Sequence, residues 1–174
     1  MIGLERGVVR LVPYDEDWKH AFEEEKQRLQ AVIGDYVLDI QHIGSTAISG
    51  GVAKPIIDIA IAVESFEDAF VCVEPIEQIG YEHMGEYGIA RRHYFVKRNP
   101  HTTHHVHMYE PGHCDWQDQL LFRDYLLAHP EMVDEYTALK LHLAEQYPLD
   151  REAYTNGKES FIRHVLRMAR SKDA

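Results

Sequence analysis

Residues 36–63 read YVLDIQHIGSTAISGGVAKPIIDIAIAV, and this stretch decides the fold. Two segments rich in apolar residues, at 36–43 and 56–63, have the length of β-strands, and the second is rich in isoleucine. Gly44 ends the first run, and Lys54-Pro55 introduces the second. The pattern predicts two strands of one sheet, joined by a loop that contains three glycines.

The loop after the first strand has the chemistry of a phosphate site. Gly44 allows the backbone to turn sharply and to approach a ligand closely. The hydroxyl groups of Ser45 and Thr46, with nearby backbone amides, can hold phosphate oxygens. Asp58, on the second strand, could bind the metal ion that neutralises such a phosphate. The alternative is that Gly44 is only a turn residue and that Asp58 is a hydrogen-bonding residue at a strand end.

Asp58 shares one face of its strand with Ala60 and Ala62, because side chains alternate along a strand. Two alanines beside one acid leave room above the sheet. We therefore expect an open floor there, which suits a ligand better than a packed core.

The remaining elements predict one mixed α/β (α+β) domain over residues 1–174, with a helical C-terminal third. Asp15 caps a helix that runs to residue 33, and a second helix is predicted to start at a capping box at Ser65 and to end near Gly80. Further strands are expected at residues 8–12, 91–98 and 103–110, and further helices at 116–128, 131–147 and 151–170.

His105 and His107 lie on one face of the predicted 103–110 strand. Two imidazoles so spaced can reach one metal ion, and Asp58 on a neighbouring strand could complete a set of two histidines and one carboxylate. The alternatives are an exposed row of histidines or hydrogen-bonded walls of a pocket.

Few basic residues are available to bind a phosphorylated ligand, and the candidates are Lys54, Arg91, Arg92, Arg123 and Lys158. Lys158 lies on or beside the apolar stripe of the last predicted helix. A lysine at such a position either extends to the rim of the stripe or points into a pocket.

Composition narrows the functional classes. Eighteen Lys and Arg against twenty-nine Asp and Glu give a formal net charge of −11. Such a surface repels a phosphodiester backbone and disfavours general nucleic-acid binding, whereas a small anionic ligand needs only a local basic group. We expect no membrane segment, because the longest apolar run, residues 56–63, is too short to span a bilayer. Cys72 and Cys114 have neither CxxC spacing nor the pattern of a disulfide framework, so we expect free thiols in the cytoplasm.

Two common enzyme motifs are missing from the sequence. The pattern GxxxxGK[ST] does not occur, so the chain is not a P-loop kinase. The pattern GxSxG does not occur either, so a hydrolase triad would lack its usual nucleophile turn.

The chain resembles the GrpB family over nearly its whole length. The resemblance is carried by segments in the family's order: VPYD at 12–15, HIGSTA at 42–47, AKPIIDI at 53–59, HVH at 105–107, FRDYL at 122–126 and AHP at 128–130, then Tyr136 with Lys140 and Tyr154 with Lys158. It implies a nucleotidyltransferase-like fold. It also implies that the ligand is a nucleotide or another phosphorylated small molecule.

One departure from the nucleotidyltransferase pattern affects the metal site. Active enzymes of this fold place a second acid two residues after the first, where this chain has Ala60, and their third acid corresponds to His105 or His107. The resemblance therefore favours one divalent ion (Mg, Mn or Zn) on Asp58 and the histidines over a two-magnesium site.

Three functions remain open. The first is nucleotide binding, with or without metal-dependent nucleotidyl transfer in which Asp58 and Ser45 are the catalytic residues. The second is a non-catalytic ligand-binding or regulatory module that has lost the second acid. The third is a single-metal hydrolase that uses Asp58, His105 and His107.

Overall fold

The computed structural model describes residues 1–172. Six helices lie in this part of the chain: α1 (Asp17–Ile33), α2 (Val73–Gln78), α3 (Cys114–Ala128), α4 (Pro130–Gln146), α5 (Arg151–Gly157) and α6 (Glu159–Lys172). Seven strands accompany them: β1 (Val12–Pro13), β2 (Val37–Ile43), β3 (Val52–Ala53), β4 (Ile57–Val63), β5 (Tyr81–His83), β6 (His93–Arg98) and β7 (Thr102–Tyr109). Three short 3-10 turns connect them at Gly34–Tyr36, Ser45–Ala47 and Asp68–Cys72.

Five strands form one mixed sheet in the order β2-β4-β7-β6-β5. The central pair, β4 and β7, is parallel, and the other neighbouring pairs are antiparallel. The short strands β1 and β3 form a separate antiparallel pair. The predicted mixed sheet with a helical C-terminal third is thus confirmed.

One face of the sheet packs on α1 and α2. The buried stripe of α1 carries Trp18, Phe22, Leu29 and Ile33, which lie against the isoleucines of β4. The helix begins one residue later than predicted, with Glu16 at the N-cap position, and Asp15 Oδ1 accepts a hydrogen bond from the backbone amide of Asp17 at 3.0 Å. This face is the largest apolar core among the described residues.

The other face of the sheet is covered by the C-terminal helices. Trp116 of α3 packs on Ile43, Ala60 and Tyr109. A second cluster, around Leu126 and Val165, joins α3, α4 and α6 to each other. The C-terminal third therefore stands over the ends of β2, β4 and β7, where the candidate site lies.

Local differences from the prediction have physical causes. The expected strand at 8–12 is reduced to Val12–Pro13, because Val9 donates its amide to Pro148 O at 2.8 Å and packs on the helices instead. The strand expected from Arg91 begins at His93, since Arg91 has φ of +61°. The helix expected over 151–170 is divided at Lys158 into α5 and α6.

None of the helices in residues 1–172 combines the length and apolar character needed to cross a membrane.

Candidate functional site

The candidate site is built around Asp58, at the start of β4. Asp58 pairs with Ile43, the last residue of antiparallel β2, and on its other side with His105 of parallel β7. Because β2 and β4 run in opposite directions, the turn that follows β2 lies beside the first residues of β4. The structure thus brings the turn at 44–46, Asp58 and the histidine strand together.

Gly44 is required at this turn for two separate reasons. Its φ of +72° and ψ of −175° belong to a region that L-residues rarely adopt. A Cβ atom at Gly44 would also lie 2.8 Å from Asp58 Oδ2. The close approach of a ligand to Gly44 stays a prediction, and the group that the structure places against Gly44 is the Asp58 carboxylate.

The two hydroxyl residues of the turn make different contacts. Ser45 lines the pocket together with Tyr136 of α4, and burial raises the pKa of Tyr136 to about 12. Thr46 is buried, and its Oγ1 lies 2.9 Å from His42 Nε2. Burial, with the charge of Arg123, lowers the pKa of His42 to about 4, so that imidazole is neutral at pH 7. Thr46 thus helps to fix the turn, while both residues line the pocket.

Asp58 is held by both predicted histidines through a single oxygen. His105 Nδ1 donates to Asp58 Oδ1 at 3.1 Å, and His107 Nε2 lies 3.5 Å from the same atom. Burial alone would raise the pKa of Asp58, but the hydrogen bonds from the two imidazoles outweigh burial and hold that pKa far below its usual range. The carboxylate is therefore ionised at any physiological pH, and its side chain keeps 29% exposure toward the pocket.

His107 has a contact on each side of its ring. Arg92 Nη1 lies 3.3 Å from His107 Nδ1, and Asp58 lies on the Nε2 side. Burial lowers the pKa of His107, and the Arg92 charge adds to this effect. The imidazole is thus built into a hydrogen-bonded wall, one of the alternatives that the sequence left open.

The three predicted ligands do not fit a metal ion held by the protein alone. Such an ion needs ligand atoms that converge on one point, but His105 Nδ1 and His107 Nε2 both face Asp58 Oδ1, at 3.1 and 3.5 Å, and so contact the carboxylate instead of a shared ion. Within residues 1–172, ligand atoms all within 4.8 Å of one another occur instead in the trio of His113, Cys114 and Asp115.

Both ring nitrogens of His113, the histidine of that trio, already form hydrogen bonds within the protein. His113 Nδ1 accepts from the Asp115 amide at 3.1 Å, and Nε2 donates to Ala90 O at 2.9 Å. At the candidate site itself, the carboxylate of Asp58 is suited to bind a cation that ligand phosphates also coordinate.

Lysines form the opposite end of the site. Lys54 Nζ and Lys158 Nζ lie 5.3 and 4.6 Å from the centroid of the Tyr154 ring. Lys140, which is 3% exposed, donates to Val52 O and lies 4.3 Å from the centroid of the Tyr136 ring. The structure thus holds these ammonium groups against aromatic faces and a carbonyl group rather than against carboxylates.

Burial weakens the proton affinity of all three lysines, and neighbouring lysine charges add to this effect at Lys140 and Lys158. Burial, with the charges of Lys158 and Lys54, lowers the pKa of Lys140 to about 7. Burial and the Lys54 charge lower the pKa of Lys158 to about 8, and burial also lowers that of Lys54. Across the described residues, Asp58 is the carboxylate whose charge acts on Lys54 and Lys158, and it favours their protonated forms.

A cavity of about 520 Å³ connects these groups. Its polar wall contains eight of the predicted residues: Gly44, Ser45, Thr46, Lys54, Asp58, His105, His107 and Lys158. The wall formed by α3 and α6 adds Asp115, Asp118, Gln119, Phe122, Ile162 and Leu166. The volume is in the range of pockets for small molecules.

Three predicted arginines do not line this cavity. Arg91 pairs with Glu67 and Glu110 at 2.8 and 2.9 Å, on the surface. Arg92 is buried behind His107, and Arg123 donates to Gln41 Oε1 and His42 O at 2.8 and 2.9 Å. Each of these guanidinium groups is engaged by the protein itself.

The prediction of open space above Ala60 and Ala62 is wrong. Both residues are buried beneath Tyr109 and Trp116. The small side chains make room for these two aromatic rings, so only the Asp58 end of the strand face opens into the cavity.

Sequence reasoning named Lys158 as a binding candidate but missed the aromatic rings that Lys140 and Lys158 contact. Tyr136 and Lys140 are four residues apart on α4, and Tyr154 and Lys158 have the same spacing at the end of α5. This spacing places a lysine over an aromatic ring on one helix face. The repeated Tyr-x-x-x-Lys pattern was the available signal.

Solved structures with the same fold fall into two groups. GrpB from Enterococcus faecalis is 36% identical, with a TM-score of 0.87, and the match covers 94% of this chain and 98% of that one. The Cid1 poly(U) polymerase with MgGTP bound has a TM-score of 0.53 at 14% identity, over 78% of this chain and 44% of the polymerase. The nucleotidyltransferase-like fold is thereby confirmed as a fold.

The sequence relatives, like the first of these structures, include GrpB proteins. The glutamate-rich protein GrpB of Alkalihalophilus pseudofirmus is 42% identical over 171 residues, covering 95% of this chain and 98% of the relative. The UPF0157 protein YqkA of Bacillus subtilis is 46% identical over 155 residues, and the match covers 89% of this chain but only 45% of YqkA. The profile of the family described as GrpB protein matches residues 8–168. By these matches, and as its motifs predicted, the chain belongs to the GrpB family.

Proposed function

We propose that the cavity binds a nucleotide or another phosphorylated small molecule, with its phosphates between the Ser45 turn and the lysines. The observation that carries this proposal is the shared position of Lys54 and Lys158, which reach the same cavity and contact the ring of Tyr154 instead of an acidic partner. A bound phosphate group would be the negatively charged partner that these two lysines do not have in the protein.

The energetics favour an anion with more than one charge. Burial, together with the charges of neighbouring lysines, lowers the proton affinity of Lys140 and Lys158. An anionic ligand would reverse this effect by favouring the charged form of each lysine. The chain has a net charge of −11, so the lysine group is a local feature rather than part of a generally basic surface.

A divalent cation would have one protein ligand in this arrangement. Magnesium is commonly bound through one or two carboxylates together with substrate phosphates. Asp58 would be that carboxylate, and the cation would neutralise part of the phosphate charge. The hydrolase hypothesis is less well supported, because it requires an ion that Asp58, His105 and His107 enclose together.

Binding is tested by thermal unfolding and calorimetry with ATP, ADP, AMP and inorganic phosphate, each with and without Mg²⁺. A ligand at a hundred times its dissociation constant adds about 2.7 kcal/mol of stability, or roughly 5 to 10 °C for a chain of this size. Lys158→Met and Lys54→Met should each reduce the affinity by about tenfold, since each removes a charged hydrogen-bond donor.

Lys19→Met is the matched control for these variants. Lys19 lies on α1 with 58% exposure and pairs with Glu16, away from the cavity. It should leave the ligand affinity unchanged. Equal losses in Lys19→Met and Lys158→Met would contradict the proposed phosphate site, as would the absence of any binding across the panel.

Binding without nucleotidyl transfer is the second candidate, and one observation favours it. Ala60 stands where active enzymes of this fold have a second acid, and it is sealed beneath Trp116 and Tyr109. Pyrophosphate release from ATP, GTP, CTP and UTP, with Mg²⁺ or Mn²⁺, separates the candidates. Pyrophosphate release that disappears in Asp58→Asn supports nucleotidyl transfer. Ligand binding without pyrophosphate release supports a non-catalytic binding module.

A further inference from the structure

Arg92 lies behind the site, and its contacts fix it firmly. Its guanidinium donates to Glu86 O and Tyr87 O at 3.0 to 3.3 Å. Its Cζ lies 4.5 Å from the centroid of the Tyr94 ring, and the residue is 6% exposed. The remaining contact is Nη1 to His107 Nδ1, at 3.3 Å.

The direction of this last hydrogen bond is determined by chemistry. A guanidinium group has only donors, so His107 Nδ1 must accept and cannot carry a proton. The proton of the neutral ring is therefore on Nε2, the nitrogen that faces Asp58 Oδ1. A metal ligand needs a lone pair, and Nε2 has none in this tautomer.

We propose that Arg92 and His107 are positioning residues for Asp58, and that His107 is not a metal ligand. Arg92 sets the tautomer of His107, and His107 then donates toward the carboxylate. His105 donates to the same oxygen from the other side. Asp58 Oδ1 is thus held by two imidazoles, while Oδ2 lies against Gly44, so the carboxylate has one defined orientation.

This assignment changes the role of two residues that the sequence offered for ligand and metal binding. Orientation of a carboxylate by imidazole donors resembles the way in which outer partners orient metal ligands in other proteins. The consequence for metal binding rests on the proposed function, because a cation would then depend on Asp58 together with the phosphates of a bound nucleotide. The tautomer itself does not depend on any ligand.

The first test measures the tautomer in the ligand-free protein. Long-range ¹H–¹⁵N spectra of the ¹⁵N-labelled chain, with the His107 signals assigned by comparison with His107→Gln, should show a protonated Nε2 and an unprotonated Nδ1. Added Zn²⁺ should leave these two signals in place. A proton on Nδ1, or a Zn²⁺-induced shift typical of ligation at Nε2, would overturn the proposal.

The second test compares two substitutions by calorimetric titration with MgATP. Glutamine can still donate to Asp58 and accept from Arg92, so His107→Gln should keep the affinity within about threefold, whereas His107→Leu should lower it about tenfold or more. If His107 is a metal ligand, His107→Gln should lose as much as His107→Leu. Thermal unfolding of both variants identifies any loss that is due to misfolding.

Arg92→Met completes the test, because methionine keeps a long side chain but has no hydrogen-bond donor to direct at His107 Nδ1. The His107 signals should then show a mixture of tautomers, and an unchanged spectrum would overturn the role of Arg92. If MgATP does not bind to the native chain at all, the proposed function fails, and the ligand-free spectra still decide the positioning role.

Discussion

At the scale of single residues, Gly44 connects the fold to the chemistry of the site. Its positive φ ends β2, and its missing side chain leaves the space that Asp58 Oδ2 occupies. Gly44→Ala should therefore lower the free energy of unfolding by about 1 to 3 kcal/mol, through backbone strain. It should also lower the ligand affinity by more than tenfold, because the new methyl group displaces the carboxylate.

Gly50→Ala is the control that separates these two effects. Gly50 also has a positive φ, of +90°, but no atom lies within 4 Å of a Cβ at that position. Chemical denaturation should show a similar loss of stability in both variants, with ligand affinity reduced only in Gly44→Ala. Equal affinities in the two variants would show that the contact with Asp58 is unimportant for binding.

Lys158 should be unusually reactive. With a pKa of about 8, roughly a quarter of its side chain is the free amine at pH 7.5, far more than for an ordinary lysine. Pyridoxal phosphate combines an aldehyde with a phosphate group, so it should form an imine with Lys158 that borohydride then reduces. Peptide mass spectrometry should find this modification first at Lys158.

ATP should protect Lys158 from this modification if both compounds use the same phosphate site. Lys19, which is exposed on α1, is the internal reference in the same digest. Equal labelling of Lys19 and Lys158, or labelling that ATP does not change, would contradict the proposed position of the phosphates.

At the scale of elements, the break between α5 and α6 positions Lys158. Gly157 ends α5 directly against Leu143 of α4, where a Cβ atom would overlap the leucine side chain. Gly157→Ala should push α5 away from α4, with a loss of about 1 to 3 kcal/mol in unfolding free energy. Because Lys158 follows directly, calorimetry should also show weaker phosphate binding.

Gly34→Ala provides the comparison for this helix junction. Gly34 follows α1 with a helical φ of −53°, and no atom lies within 4 Å of its Cβ position. That variant should be neutral or slightly more stable, because alanine reduces the freedom of the unfolded chain. A neutral Gly157→Ala would mean that α4 and α5 adapt to the extra methyl group without moving Lys158.

The elements that were predicted well are those whose pattern is repeated and local. The isoleucines of β4 and the stripe of α1 follow regular periods, and both elements form as expected. The division of the last helix at Lys158 depends on the contact between Gly157 and Leu143, which are distant in sequence. Tertiary packing of this kind leaves no trace in local periodicity.

At the scale of the whole molecule, the sequence predicted which residues surround the candidate cavity but not the balance of charge within it. The Gly44 turn, Asp58 and the two histidines could be predicted because strand order and side-chain alternation bring them together. The partners of Arg91 and Arg123 could not be, since they come from segments far apart in the chain. The buried position of Lys140 also depends on how α4 packs on β3.

The lysine group makes a prediction about the stability of the entire fold. The folded pKa values of Lys140 and Lys158 are about 7 and 8, below the ordinary lysine value of the unfolded chain. Between these values the unfolded state binds more protons, so the free energy of unfolding should rise with pH from about 7 to 10. Each lysine contributes a slope of up to about 1.4 kcal/mol per pH unit. The tyrosines beside them have raised pKa values and stay neutral over this range.

Ligand affinity should change in the opposite direction, because the charged lysines that destabilise the empty site attract phosphate. Urea denaturation at several pH values should give a rising stability for the free chain, and a smaller slope for Lys140→Met. Calorimetry with ATP over the same range should show the affinity falling as pH rises through 7 to 8. If stability is flat from pH 7 to 9, the lysines are ordinary and fully charged, and the energetic argument for an anionic ligand is lost. If stability rises while ATP affinity stays constant, the lysines have lowered pKa values as described but do not contact the phosphates.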